Sequence, residues 1–229
     1  MRALTSEELR MAKPDRKLFP ALPRNPVAVV VDNFTSGYNV GALFRAADAF
    51  SVERLYLCGS TPEPPKPRIA KTSRGTERWV PWEARPDAAG VVAELRGRGY
   101  QVVALELTDE SVPPWEADFS FPVCLVVGDE MTGVSQEVLN LADMAVAVPM
   151  MGMGNSMNAA AALAIVLYEI FLRLRPGAEI RRLRLRKGMS LRELGDKSGV
   201  SYSTICEVER GRHRPSHKTL RRLLSVLRE

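Results

Sequence analysis

The chain has 229 residues, 45% hydrophobic and 26% charged, with a formal net charge of +5, enough for one large globular domain and a small one. The longest uncharged apolar run, Ala159 to Tyr168, is too short to span a bilayer, and the N-terminus lacks the apolar core of a signal peptide. Residues 178–229 carry 14 Lys+Arg against 6 Asp+Glu, a net of +8, so the rest of the chain is slightly acidic and the basic tail suggests a nucleic-acid partner.

Thr5 and Glu8 have capping-box spacing and predict a short helix ended by Pro14; Pro20, Pro23 and Pro26 make a stiff entry to the core. Val27 to Val31 is the continuous apolar run of a strand covered on both faces. A polar, Gly-containing turn follows, then a helix from about Val40 that packs through Ala42, Leu43, Ala46, Ala49 and Phe50. Leu55 to Cys58 is a second strand. Between Thr61 and Pro81, four prolines (62, 64, 65 and 67) predict irregular backbone. That loop holds Lys66, Arg68, Lys71, Arg74 and Arg78, with Trp79 and Trp82 adjoining it. Cations with interleaved aromatics suit RNA, through phosphate pairing and base stacking; the tryptophans also suit a core.

Asp87 to Arg98 reads as a helix, Gln101 to Glu106 as a strand, and Pro113-Pro114-Trp115 as a turn. Val123 to Val127 is another all-apolar strand, running into GDEMTGVS; Gln136 to Ala142 is a helix. Ala145 to Val148 is a short strand that Pro149 ends by removing a donor. Gly152 and Gly154 follow in a Met-rich loop, and Ser156 and Asn158 are placed to cap an Ala-rich, buried helix from Ala159. A strand, a tight loop and a capped helix make a pocket for a small cofactor. It is not a dinucleotide fingerprint, because Met157 holds the third glycine position and no carboxylate follows on a second strand. Strands alternating with helices give an α/β domain with a parallel sheet.

Pro176-Gly177 reads as a domain boundary. Beyond it the chain is helical throughout, with starts at Ser190, Ser201 and Ser216 and stops at Gly188, Gly199 and Gly211. The three cysteines, Cys58, Cys124 and Cys206, form no Cys-x-x-Cys pair, which fits a reducing cytoplasm and argues against a disulfide framework or structural zinc.

Three separated segments, NVGALFRAADAF (residues 39–50), VGDEMTGVS (127–135) and VPMMGMGNSMNAAAALAIVLYE (148–169), together resemble the SpoU/TrmH family of RNA ribose 2′-O-methyltransferases, within the SPOUT superfamily. Ser51 departs from the glycine common there, which affects a turn and not the chemistry. The resemblance implies a knotted, mostly parallel α/β sheet flanked by helices, an S-adenosylmethionine (SAM) cofactor, a homodimer and an RNA substrate, tRNA or rRNA. It implies catalytic roles for Arg45, Asn39, Glu130, Ser156 and Asn158, and cofactor contacts from Leu105, Gly128, Val148, Met150, Ser156 and Met157. No metal is expected, because His213 and His217 both lie in the tail and the Asp/Glu residues show no ligand spacing. The segment LRELGDKSGVSYSTICEVERGRHRPS (191–216) resembles Xre/Cro-type helix-turn-helix domains, with Gly195 where alanine is commoner. Ser201 to Arg210 is then the recognition helix, and Tyr202, Ser203 and Thr204 join Lys66, Arg68, Lys71 and Arg74 as nucleic-acid contacts.

The expected organisation is an N-terminal helical extension (1–26), a methyltransferase domain (27–176) and a small all-α helix-turn-helix domain (178–229) that binds RNA, with DNA as the other choice. The alternative function is a DNA-binding regulator whose SPOUT domain dimerises or senses SAM. The presence of all five proposed catalytic residues favours the enzyme.

Overall fold

The structure is a computed structural model and describes residues 2–11, 24–213 and 215–228. The Thr5–Glu8 capping box forms at α1 (Ser6–Met11): the Thr5 amide donates to Glu8 Oε2 at 2.8 Å and the Glu8 amide to Thr5 Oγ1 at 3.3 Å. Pro14, Pro20 and Pro23 lie outside the described residues. Pro26 falls inside β1 (Asn25–Asp32), where the pairing register shifts between Asn25 and Ala28. A residue without an N–H cannot complete the ladder there.

The chain continues through α2 (Gly37–Ala49), β2 (Val52–Cys58), α3 (Pro67–Ser73), β3 (Trp82–Arg85), α4 (Ala88–Gly97), β4 (Gln101–Leu105), β5 (Val123–Gly128), α5 (Gln136–Leu139) and β6 (Met144–Val146). Then come α6 (Ala159–Arg186), α7 (Leu191–Ser198), α8 (Tyr202–Glu209) and α9 (His217–Arg228). The six strands lie in the order β3-β2-β1-β5-β4-β6, every pairing parallel. Alternation along β1 divides its burial. Val27, Val29 and Val31 enter the core beneath α2 and α6; Ala28 and Val30 enter the one beneath α4 and α5. Each buried valine contributes about 1.5–3 kcal/mol relative to exposure. That two-sided burial is why the strand reads as unbroken valine rather than as an alternating pattern.

Two expectations are corrected. The Thr61–Pro81 stretch is not irregular throughout: α3 and a 3-10 turn (Thr76–Arg78) lie inside it. Pro67 sits at the first turn of α3, where proline's fixed φ helps and its missing donor costs nothing. The tryptophans take the core alternative. Trp79 Nε1 donates to Asp48 Oδ1 at 2.7 Å, and Trp82 meets Phe44 edge-on at 6.4 Å.

The helix also does not break at Pro176-Gly177. α6 runs through that dipeptide for 28 residues, about 42 Å. Tertiary packing outweighs the lost hydrogen bond, because α8 ends directly on the helix. A Cβ on Gly177 would fall 1.8 Å from the Val208 carbonyl oxygen, so only glycine admits that approach. The last turns of α6 thus belong to the C-terminal core of Ile180, Leu194, Val200, Ile205, Val208, Leu223 and Leu227. Arg184 on α6 donates to both carboxylate oxygens of Glu209, each at 2.7 Å. No helix among the described residues is long and apolar enough to cross a membrane.

Candidate active site

The strand order reverses between β1 and β5, and ligands of open parallel sheets bind beyond the carboxyl ends of strands at such a switch. A cavity of about 830 Å³ lies to one side of that switch, beyond the carboxyl ends of β4, β5 and β6, lined by the end of β4, the 127–134 turn and the 147–157 loop. All six expected cofactor residues line it: Leu105, Gly128, Val148, Met150, Ser156 and Met157.

Three of the five expected catalytic side chains close a hydrogen-bonded ring at its rim. Asn39 Nδ2 donates to Glu130 Oε2 at 2.5 Å. Asn158 Nδ2 donates to Glu130 Oε1 at 2.7 Å and to Asn39 Oδ1 at 3.0 Å. Asn158 is also the N-cap of α6, its Oδ1 accepting from the amides of Ala160 and Ala161 at 3.1 and 3.2 Å. One residue therefore ties the start of α6 to the first turn of α2 and to the loop after β5. Ser156 lines the cavity but does not cap the helix. Arg45 is exposed on α2, outside both the ring and the cavity lining. It makes no ion pair among the described residues.

Sequence reasoning missed three carboxylates, two of which, Glu106 and Asp129, line the pocket, while Asp32 ties β1 to the turn beside it. Each ends or directly follows an apolar strand. Asp32 Oδ2 accepts from the Ser135 amide and hydroxyl at 2.9 and 2.6 Å. Glu106 Oε2 accepts from the Val134 amide at 2.8 Å. Asp129 accepts from the Thr35 amide and hydroxyl at 2.8 and 2.9 Å, and from the Met131 amide at 3.0 Å. Burial opposes the Asp129 charge, but these bonds outweigh it and hold its pKa below the ordinary value. The available signal was a carboxylate where an apolar strand stops, which demands a partner.

Of the expected nucleic-acid residues, Lys66, Arg68, Lys71 and Arg74 are exposed along α3 and its two caps. Among the described residues none of the four is in an ion pair. Tyr202 and Ser203 are exposed on the first turn of α8. Ser201 is that helix's N-cap, accepting from the Thr204 amide at 3.2 Å, and Thr204 is half-buried with its hydroxyl 2.7 Å from Ser201 Oγ.

The fold and cavity define a parallel α/β protein with a small-molecule pocket, joined through one helix to an all-helical module. Residues 26–168 match the sequence model of the SpoU rRNA Methylase family, and the chain belongs to that family. Residues 180–229 match a helix-turn-helix domain. The chain is 34% identical over 143 residues to a tRNA (guanosine(18)-2′-O)-methyltransferase of Escherichia coli, a match covering 62% of each protein. The matched segment thus spans under two thirds of that relative's length. It is 35% identical over 169 residues to the protein of the same description from Aquifex aeolicus, covering 72% of this chain and 79% of that one. Among solved structures it resembles the SpoU methyltransferase AviRb of Streptomyces viridochromogenes in complex with AdoMet. The TM-score is 0.59 at 27% identity, over 65% of this chain and 60% of that one.

Proposed function

We propose that the protein transfers a methyl group from SAM to a ribose 2′-hydroxyl of tRNA or rRNA. The observation that carries this is the intact Asn39–Glu130–Asn158 ring beside a cofactor-sized cavity. The residues present fit SAM. The volume is in the range of small-molecule sites. Leu105, Val127, Val148 and Met157 offer apolar and backbone surface, and Glu106 and Glu130 place carboxylates where a sulfonium would be favoured. SAM supplies an electrophilic methyl group on sulfur, which passes to the ribose oxygen as that oxygen loses its proton.

The chain's own part is orientation. Holding two reactants in line removes several kcal/mol from the barrier. Asn39 and Asn158, locked by Glu130, fix the start of α2 against the cavity. Arg45 stands six residues further along α2, roughly 9 Å by helical rise. A guanidinium with a pKa above about 12 is no base. Arg45 instead holds the neighbouring phosphate and stabilises the developing alkoxide, and that phosphate assists proton removal. A ring kept intact also favours an enzyme over a SAM-sensing DNA-binding regulator. Full-length protein incubated with tritiated SAM and bulk tRNA or rRNA should place label in nucleotides whose 3′ linkage resists alkali. Label on bases, or none on either RNA, would sink this reading.

The methyltransferase unit (27–176) and helix-turn-helix unit (178–229) share α6, and the knot of the SPOUT fold, cytoplasmic residence and a homodimer belong to the same reading. The dimer rests on an exposed stripe of α6: Ile165, Tyr168 and Leu172 at 39%, 52% and 39% exposure. Phe50 extends it, 6.4 Å from the Tyr168 ring. The full chain should scatter light as a dimer and Tyr168→Glu as a monomer; a monomeric parent protein would refute the interface. Cutting at Pro176 is a poor test, since it severs α6 in mid-helix.

A further inference from the structure

Tyr38 takes no part in the ring, the cavity or the core, yet it immediately precedes Asn39. It is a large aromatic, 43% exposed. Its position on α2 is informative. Tyr38, Ala42 and Arg45 follow the i, i+4, i+7 spacing of one helix face, so Tyr38 and Arg45 share a stripe and stand two turns, roughly 10 Å, apart. Asn39, the next residue, is turned about 100° away from that stripe, towards Glu130 and Asn158.

The surroundings fix the backbone that carries the ring, and one cation reaches the ring itself. α3 is pressed on α2 so closely that a Cβ on Gly41 would fall 2.0 Å from Thr72 Oγ1. Thr72 Oγ1 donates to the Tyr38 carbonyl at 2.8 Å. Lys71 Nζ stands 5.7 Å from the Tyr38 ring centroid, within cation–π reach. Lys66, Arg68 and Arg74 are further exposed cations on the same short helix and its caps. An exposed aromatic with one face under a cation, beside a short basic helix, has the composition that single-stranded nucleic acid selects: phosphates on the cations, a base on the open ring face.

We propose that Tyr38 is the stacking platform for a base next to the methylated ribose, with Lys71 on the opposite face of its ring. The inference rests on the RNA methyltransferase reading above. Arg45 holds a phosphate at one end of the stripe, Asn39 marks the ribose, and Tyr38 receives the neighbouring base at the other end. Tyr38 is thus a positioning residue that acts through substrate register and leaves the reacting atoms alone. Stacking reads no Watson–Crick edge, so Tyr38 selects unpaired nucleotides over paired ones without selecting a sequence.

The test uses the full chain, tritiated SAM and bulk tRNA or rRNA, with Tyr38→Ala, Tyr38→Leu, Tyr38→Phe and Lys71→Ala. Tyr38→Ala should raise the KM for RNA about tenfold, with kcat and SAM affinity within about twofold. Tyr38→Phe should recover the parent KM, since the Tyr38 hydroxyl has no hydrogen-bond partner among the described residues; Tyr38→Leu, apolar but without a π face, should not. The salt dependence of RNA binding should be unchanged in Tyr38→Ala and shallower in Lys71→Ala, because only the lysine releases a counterion. A parent-like Tyr38→Ala, a Leu variant as good as Phe, or a fall in SAM affinity would overturn the platform. A parent protein that methylates neither RNA would remove the underlying reading and the platform with it.

Discussion

Arg45→Ala should lower methyl transfer about 10²–10³-fold while SAM binding stays within about twofold of the parent. The separation follows from where the side chain stands. Arg45 lies on the exposed face of α2 and does not line the cavity, so truncating it removes nothing that touches the cofactor. It also makes no ion pair among the described residues, so its loss strands no buried carboxylate and should leave the melting temperature nearly unchanged. What is lost is a fixed cation aimed at charge that develops only in the transition state, and removal of one such donor typically costs that factor in kcat. Arg45→Lys should recover little, because an ammonium lacks the two-pronged geometry that holds a phosphate. Single-turnover rates with tRNA and calorimetry with SAM decide the matter. An equal loss of SAM affinity would move Arg45 into the cofactor site.

That assignment draws on parts of the molecule that the sequence exposes unequally. The sheet was legible because two-sided burial leaves runs such as Val27–Val31 and Val123–Val127 with no polar interruption. The cavity wall was legible through the Gly/Met loop and the Asn158 cap, both local signals. The ring itself was not legible from local pattern: Asn39, Glu130 and Asn158 are up to 119 residues apart, and only family resemblance associated them. Asp32, Glu106 and Asp129 escaped for a related reason. A carboxylate after a strand looks like an ordinary solvated turn until the backbone amides it accepts from, up to 103 residues away, are known. Pro176-Gly177 falls where packing passes from one core to the other, between Leu174 and Ile180, yet no helix ends there. Both residues are helix breakers by intrinsic preference, and the glycine is required because α8 approaches α6 so closely there. The proline count between Thr61 and Pro81 misled, since proline position within a helix matters more than proline number.

Arg184→Met should destabilise the C-terminal module by about 3–5 kcal/mol, because it leaves the Glu209 carboxylate buried without its partner. The two side chains are only 11% and 6% exposed, and their paired contacts at 2.7 Å have bidentate geometry. The carboxylate raises the Arg184 pKa above its usual value, so the guanidinium stays charged throughout the working pH range. A module of roughly fifty residues with seven buried apolar side chains has little stability to lose, and that deficit should unfold α7 to α9 while the sheet stays intact. Hydrogen exchange would show protection lost in 191–228 and retained in β1 and β5. The double variant Arg184→Met/Glu209→Leu should recover most of the loss, since replacing both ions by apolar groups removes the unpaired charge. A double variant as unstable as the single would mean that the pair matters for shape and not for charge. The same protein tests what the tail does. With net +8 beyond residue 177, unfolding the module should weaken nucleic-acid binding and flatten its salt dependence. A larger effect on tRNA and rRNA than on random duplex DNA would make the tail a grip on RNA; the reverse order would make it a DNA reader. If affinity and salt slope stay unchanged on all three, the exposed face of α8 with Tyr202 and Ser203 serves a protein partner instead.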